Sequence, residues 1–214
     1  MQYILEHFAV AVCAITGVLA ARGKSIDLFG VVVLALVTAL GGGTIRDLCL
    51  GISPVFWIAD PNYLLTAVAA ALTMFAIARF RELPQMVLLV ADAFGLALFT
   101  MIGVEKCIGA GVANTIALFL GVVTGVGGGV IRDVLCGEIP LVFRREIHIY
   151  ATAAFCGAGL FLLLKDFYPD WGLNRIVTVV VILLLRLAGI RWKLGLPLFA
   201  PRENGAGEHT PDEH

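Results

Sequence analysis

The stretch TALGGGTIRDLCLGISP, Thr38–Pro54, recurs as TGVGGGVIRDVLCGEIP, Thr124–Pro140, at a constant offset of 86 residues. Nine of the seventeen positions are identical, including all three glycines and the Ile-Arg-Asp that follows them. Chance would give about one or two identities at ordinary residue frequencies. The sequence therefore contains an internal repeat, and each copy carries a glycine triplet followed by an Arg-Asp pair.

The composition around this repeat is strongly apolar. Of 214 residues 60% are hydrophobic and 14% are charged, and the net charge is −1, whereas a soluble domain has roughly 25% charged residues. These values exclude an ordinary water-soluble domain, a disordered chain and a nucleic-acid-binding protein. Apolar runs near 20 residues recur along the chain, which predicts an all-α integral membrane protein.

Seven spans are predicted. The Gly triplets fall inside the second and the fifth of them. The spans are Tyr3–Ala21, Leu28–Leu50, Tyr63–Phe80, Gln85–Val104, Ile108–Cys136, Ile147–Leu164 and Leu173–Ile190.

The offset divides the chain into residues 1–84 as repeat one and 85–168 as repeat two, each with three spans. Residues 169–195 add a seventh span, and the polar tail 196–214 is expected to be cytoplasmic and disordered. Because three is odd, the second copy enters the membrane from the opposite side. Such an inverted 3+3 repeat places the functional site near the midplane.

The basic residues of the connections predict the orientation. The side of the N-terminus has Lys106, Lys165 and Arg175. Ten lie on the other side, where Arg186 is expected to snorkel from the end of the last span. Three against ten puts the N-terminus outside and the C-terminus in the cytoplasm of an inner (plasma) membrane. The ten are Arg22, Lys24, Arg79, Arg81, Arg144, Arg145, Arg186, Arg191, Lys193 and Arg202.

The triplets Gly41–Gly43 and Gly127–Gly129 are candidate hinges, with Thr44 beside the first. Each glycine costs a helix about 1 kcal/mol relative to alanine. Broken helices whose freed carbonyls line a pore are therefore expected in the second and fifth spans. The alternative is close helix packing through small residues.

Six ionisable residues within the spans are candidate site residues: Glu6, Arg46, Asp47, Asp92, Arg132 and Asp133. Buried charges of this kind face the bundle interior or a water path and need partners. Either they lie near a pore, or they form salt bridges that only lock the helices together.

Adjacent Arg and Asp residues of a helix do not face each other, so each is expected to pair elsewhere. Helix rise places Asp92 and Arg132 at one depth, about 5 Å from the midplane, and predicts that they pair. The inverted copy predicts a second pair between Glu6 and Arg46.

No catalytic constellation, phosphate-binding loop or metal-ligand spacing is found, so neither an enzyme nor a bound metal or cofactor is expected.

The doubled GGGxxRD pattern resembles the prokaryotic members of the trimeric intracellular cation (TRIC) channel family, also described as a glycine transporter domain. Gly51–Pro54, Gly137–Pro140 and Asp92–Phe99 match the family as well, and the resemblance covers about residues 3–190. Repeat one has Glu6 where the family pattern has Asp.

The resemblance implies a seven-helix subunit, a homotrimer in the lipid membrane, and one pathway for monovalent cations through each subunit. Potassium and sodium would be the permeant ions, with weak selectivity. Eukaryotic members also hold an inositol lipid through a basic motif that cannot be placed here, so a bound lipid stays open. A secondary transporter of a small amino acid such as glycine is the alternative, because both classes use helices that meet at an inverted-repeat interface. A purely structural Gly-Arg-Asp core is the third.

Overall fold

A computed structural model describes residues 2–81, 83–144, 149–168 and 172–192. Eight α-helices and one 3₁₀ turn, Leu141–Phe143, account for most of these residues. The predicted tail 196–214 and both ends of the predicted segment 169–195 lie outside the described ranges. The helices are α1 Gln2–Ala21, α2 Leu28–Cys49, α3 Phe56–Ala59, α4 Asn62–Phe80, α5 Gln85–Gly109, α6 Asn114–Leu135, α7 Ala151–Phe167 and α8 Asn174–Trp192.

The all-helical membrane architecture is confirmed. Five helices, α1, α2, α4, α5 and α6, are long and apolar enough to cross a membrane. Helix α7 has 17 residues, and α8 carries three arginines. The boundary between the fourth and fifth predicted spans was placed wrongly, because α5 continues to Gly109 and α6 begins at Asn114. Gly111 adopts φ +77° in the turn between them, a conformation that favours glycine.

Helices α2 and α6 end in the same way. Gly51 follows α2 with φ +67° and Gly137 follows α6 with φ +69°, and both glycines are identical positions of the repeat. A glycine in the left-handed region is a common helix terminator because it carries no Cβ. The repeat therefore encodes the end of each helix as well as its interior.

Six of the helices form two bundles of three. Helix α1 packs on α2 and α4, and α5 packs on α6 and α7. The bundles meet where α2 crosses α6 and α1 contacts α5, while α8 covers α5 and α7. Helix α5 is the most enclosed of the five long helices, because 67% of the residues in its apolar 18-residue stretch are buried, a larger share than in the other four.

The predicted helix breaks at the glycine triplets are absent. Helix α2 runs without interruption through Gly41–Gly43, and α6 does so through Gly127–Gly129. The penalty that glycine imposes on an isolated helix is small compared with what packing in a bundle contributes. The first two glycines of each triplet lie instead at the contact between the two helices.

The crossing of α2 and α6 is reciprocal. A Cβ added to Gly42 would lie 2.1 Å from the carbonyl oxygen of Thr124, and one added to Gly128 would lie 2.1 Å from that of Thr38. Gly42 corresponds to Gly128 in the repeat, and Thr38 to Thr124. Only glycine permits this approach of helix to backbone, which is why the small residues stand mid-helix.

Candidate functional site

Three cavities follow one another through the subunit. The largest, which we call the vestibule, has a volume of about 470 Å³ and lies between the end of α1, the start of α5 and the loop after α6. Asp133 lines it together with the charged residues Arg22, Lys24, Glu138 and Arg144.

The middle cavity lies at the α2–α6 crossing and has a volume of about 10 Å³. A cavity needs about 10–15 Å³ to hold one water molecule. The two helices therefore close almost completely upon each other here. The lining includes Cys13, Thr16, Thr38, Gly42, Gly43, Asp92, Phe99, Thr124, Gly128, Gly129 and Arg132.

The third cavity, the Glu6 cavity, also has a volume of about 10 Å³. Phe99 lines both it and the middle cavity, so this ring separates the two. Its other walls are Glu6, Val10, Arg46, Phe56, Tyr63, Ile102 and Lys106.

The predicted pair of Asp92 with Arg132 is confirmed. Arg132 is fully buried, and its Nη1 donates to Asp92 Oδ1 at 2.9 Å and to the Thr16 hydroxyl at 3.0 Å. Its Nε donates to Asp133 Oδ1 at 2.8 Å. One guanidinium thus holds two carboxylates and ties α6 to α5 and α1 between the vestibule and the middle cavity.

The adjacent Arg and Asp residues pair with each other, contrary to the prediction. Arg46 donates from Nε and Nη2 to Asp47 Oδ1 at 2.9 and 2.7 Å. The rule behind that prediction describes which positions on a helix surface face each other, whereas the long and flexible arginine side chain reaches the carboxylate of the next residue in the chain. The second Asp47 oxygen accepts the backbone N–H of Phe56 at 2.9 Å, as Asp133 accepts that of Leu141 at 2.8 Å.

The predicted Glu6–Arg46 pair is wrong. Glu6 accepts from Lys106 at 2.9 Å and from the Tyr63 hydroxyl at 2.5 Å. Lys106 comes from the last turn of α5, and its ammonium lies over the same Phe56 ring as Arg46, at 5.6 and 5.8 Å. Asp47 already holds the guanidinium, so the lysine takes the carboxylate.

Arg186 does not snorkel. The residue is fully buried and its guanidinium carbon lies 4.3 Å from the centre of the Tyr150 ring. It shares the buried face of α8 with Thr178 and Ile182, at four-residue spacing. Removing it from the count of basic residues leaves nine against three and does not change the expected orientation.

Most of the predicted site residues surround these cavities. Asp92, Arg132 and the last two glycines of each triplet line the middle cavity, Glu6 and Arg46 line the Glu6 cavity, and Asp133 lines the vestibule. Four predicted residues line none of the three. These are Gly41, Gly127, Asp47 and Thr44, whose hydroxyl accepts the Trp57 indole N–H at 3.0 Å.

Sequence reasoning missed several functional candidates. Thr38 and Thr124 are identical positions of the repeat, and this identity could have marked them as residues of the crossing. Phe99 ends the Asp92–Phe99 stretch that carried the family resemblance, although no role was assigned to it, whereas Lys106 and Tyr150 lie outside these motifs and had no signal.

A salt bridge lies at the wall of the vestibule. Lys24 Nζ lies 2.5 Å from Glu138 Oε1, and Arg144 contacts the other oxygen at 3.3 Å. The hydrogen bond from Lys24, with its positive charge, lowers the pKa of Glu138 below the ordinary value. Both side chains are partly exposed, so the pair contributes little to stability.

Comparison with known proteins places this arrangement among relatives. The family model described as Glycine transporter matches residues 3–79 and 89–166. The UPF0126 inner membrane protein YadS of Escherichia coli K12 is 48% identical over 207 residues, 96% of this chain and 99% of that protein.

Two solved structures share the fold. A TRIC trimeric intracellular cation channel orthologue from Rhodobacter sphaeroides matches with a TM-score of 0.85 and 40% identity, covering 90% of this chain and 98% of that one. A second structure, solved to explain conductance through TRIC cation channels, matches with a TM-score of 0.82 and 35% identity. The match covers 92% of this chain and 97% of that one. Both similar structures are of channels, not enzymes.

Proposed function

The chain belongs to the glycine transporter (TRIC) family of multi-pass membrane proteins, and from that premise we propose that it is a cation channel with a pathway inside each subunit. The observation that carries this proposal is the row of three cavities, vestibule, middle cavity and Glu6 cavity, which runs through the reciprocal α2–α6 crossing. The similarity to solved TRIC cation channels supports it.

The proposed pathway starts in the vestibule, passes Asp133 and the Arg132–Asp92 pair, and continues past the crossing glycines and Phe99 to Glu6. Carboxylates lie along its whole length, and the oxygens of Asp92 and Glu6 are suited to a passing monovalent cation. A conducting path also needs binding that is weak and repeated, which three separated carboxylates offer.

The pathway is closed in this conformation. The middle and Glu6 cavities are each about 10 Å³, which is too small for a partly hydrated ion. Arg132 closes the path beside the vestibule, and Lys106 holds the far carboxylate. Opening therefore requires α2 and α6 to separate and Arg132 to release Asp92.

We further propose a potassium-permeable, weakly selective homotrimer in the inner membrane, with permeant monovalent cations and surrounding lipids as its other partners. Each subunit would have seven spans, an inverted 3+3 repeat, an outer N-terminus and a cytoplasmic C-terminus. The reciprocal glycine contacts, the nine-to-three count of basic residues and the trimeric state of the solved relative support these points.

Potassium efflux from liposomes tests the function. Vesicles containing the purified protein should lose potassium rapidly, without saturation as the internal concentration rises, while empty vesicles retain it. A Gly42→Leu variant, whose side chain would fill the crossing, should abolish the efflux. Saturable glycine uptake without potassium efflux would favour the transporter alternative.

A further inference from the structure

Arg186 is a buried cation without an acid of its own. It is 0% exposed, and among the residues that the structure describes none accepts a hydrogen bond from its Nε, Nη1 or Nη2. Its one close polar contact is the face of Tyr150. A buried charge without a partner is costly, so a state of the protein in which Arg186 gains one is favoured.

Asp92 is the carboxylate that could pair with it. The Tyr150 hydroxyl and Asp92 Oδ1 lie side by side, 3.3 and 3.5 Å from the position that a Cβ on Gly129 would take, and Arg186 lies over the ring of the same tyrosine. Arg132 holds Asp92 Oδ1, while Oδ2 is buried and has no hydrogen-bond partner in the described chain. The guanidinium without a partner thus lies over the face of the Tyr150 ring, and the carboxylate with a free oxygen lies near the hydroxyl of the same ring.

The count of charges points the same way. Two carboxylates, Asp92 and Asp133, share the single guanidinium of Arg132. Arg186 supplies the missing positive charge. Repeat one has no such surplus, because Glu6 pairs with Lys106 and Arg46 pairs with Asp47.

We propose that Arg186 is a positioning residue that takes Asp92 from Arg132 when the pathway opens. After this exchange Arg132 remains paired with Asp133, as Arg46 is with Asp47, and Asp92 is paired with Arg186. In the closed arrangement Arg186 has no acidic partner, whereas in the open one every one of these charges is paired, in two separate ion pairs. The inference rests on the proposed function, because it assigns control of that pathway to α8.

The exchange opens the path at its narrowest charged point. Arg132 also donates to the Thr16 hydroxyl, so its release uncouples α6 from α1 as well as from α5. Cys13, which lines the middle cavity, then becomes reachable from the vestibule. The rate at which its thiol is modified therefore reports the opening without any measurement of current.

The test compares thiol modification in two single-cysteine proteins. One retains Cys13 in the middle cavity and the other retains Cys136 in the vestibule, with the other four cysteines replaced by alanine. Aminoethyl methanethiosulfonate is added from the vestibule side. Arg186→Gln should slow modification of Cys13 about tenfold and leave Cys136 unchanged, while Arg186→Lys, which keeps the charge, should restore most of the Cys13 rate.

Two controls separate this role from a structural one. Arg191→Gln removes an exposed arginine of the same helix and should leave both rates unchanged. In an Asp92→Asn background Cys13 should react rapidly, and Arg186→Gln should have no further effect. An unchanged Cys13 rate in Arg186→Gln, or equal slowing in both backgrounds, would overturn the proposal. Potassium efflux from wild-type protein is scored separately, so absent efflux would count against the channel and not against Arg186.

Discussion

At the scale of single residues, the buried charges depend on Arg132. Its guanidinium serves Asp92, Asp133 and the Thr16 hydroxyl at once, and it joins three helices. Breaking a buried ion pair typically costs about 3–5 kcal/mol because the remaining charge loses its partner.

Asp92→Ala should lower the free energy of unfolding by about 1–3 kcal/mol, less than for a fully unpaired charge, because Arg132 loses one charged hydrogen-bond partner and keeps Asp133. Arg81→Ala, at an exposed position after α4, should change it by less than about 0.5 kcal/mol. Denaturant titration of the purified proteins in detergent measures both. Equal stability of the two variants would show that the Arg132–Asp92 pair contributes nothing.

The Lys24–Glu138 pair predicts a pH effect. Because the pKa of Glu138 is lowered in the folded protein, the pair stabilises the fold above the ordinary pKa of Glu138 and loses this contribution as pH falls through the lowered pKa. Lys24→Gln should raise the Glu138 pKa, leaving only the weaker effect of Arg144. Carbon-13 NMR of labelled glutamate follows it, with exposed Lys165→Gln as the control. A Glu138 pKa that does not respond to Lys24→Gln contradicts the pairing.

Residue-level partners were predictable only where the repeat and helix depth constrained them. Asp92 and Arg132 share a depth, and they pair. Glu6 pairs with Lys106 and not with Arg46, because a lysine at the end of another helix reaches its carboxylate. Spacing along one helix does not reveal such a contact. Arg186 was misjudged because α8 has no copy in the repeat.

At the scale of elements, the α2–α6 crossing depends on glycine. The triplets were expected to break their helices, since intrinsic propensity disfavours glycine in a helix. Packing overrode that propensity, because each helix lays its glycines against the carbonyl oxygens of the other. The repeat predicted which segments of the two helices are important. It did not predict that these segments pack against each other, because that contact depends on the three-dimensional arrangement.

Gly42→Ala should reduce stability by about 1–3 kcal/mol, because its methyl group would overlap the Thr124 carbonyl. Gly128→Ala should reduce stability by a similar amount. The double variant should lose less than the sum of the two, because either methyl group already forces the same two helices apart. Thermal unfolding in detergent measures these differences. Gly159→Ala, in an ordinary contact on α7, is the control and should be neutral or stabilising. A neutral Gly42→Ala would refute the close crossing.

At the scale of the whole molecule, the apolar runs predicted the membrane class and most helix positions because hydropathy is a local property. The oligomeric state does not follow from hydropathy, because it depends on contacts between subunits. We expect a trimer, since a solved relative is a trimeric channel and small apolar side chains suit contacts between helices in lipid. Native mass spectrometry from detergent should give three times 22.8 kDa, and only monomers or dimers would contradict this.

The central claim, a cation pathway within each subunit, is tested most directly by single-channel recording in planar bilayers under potassium and sodium gradients. The account predicts resolvable unitary steps with a cation-selective reversal potential, up to three equal levels for each trimer, and loss of the steps in Gly42→Leu. Bilayers that stay silent while the same preparation takes up glycine saturably would contradict it.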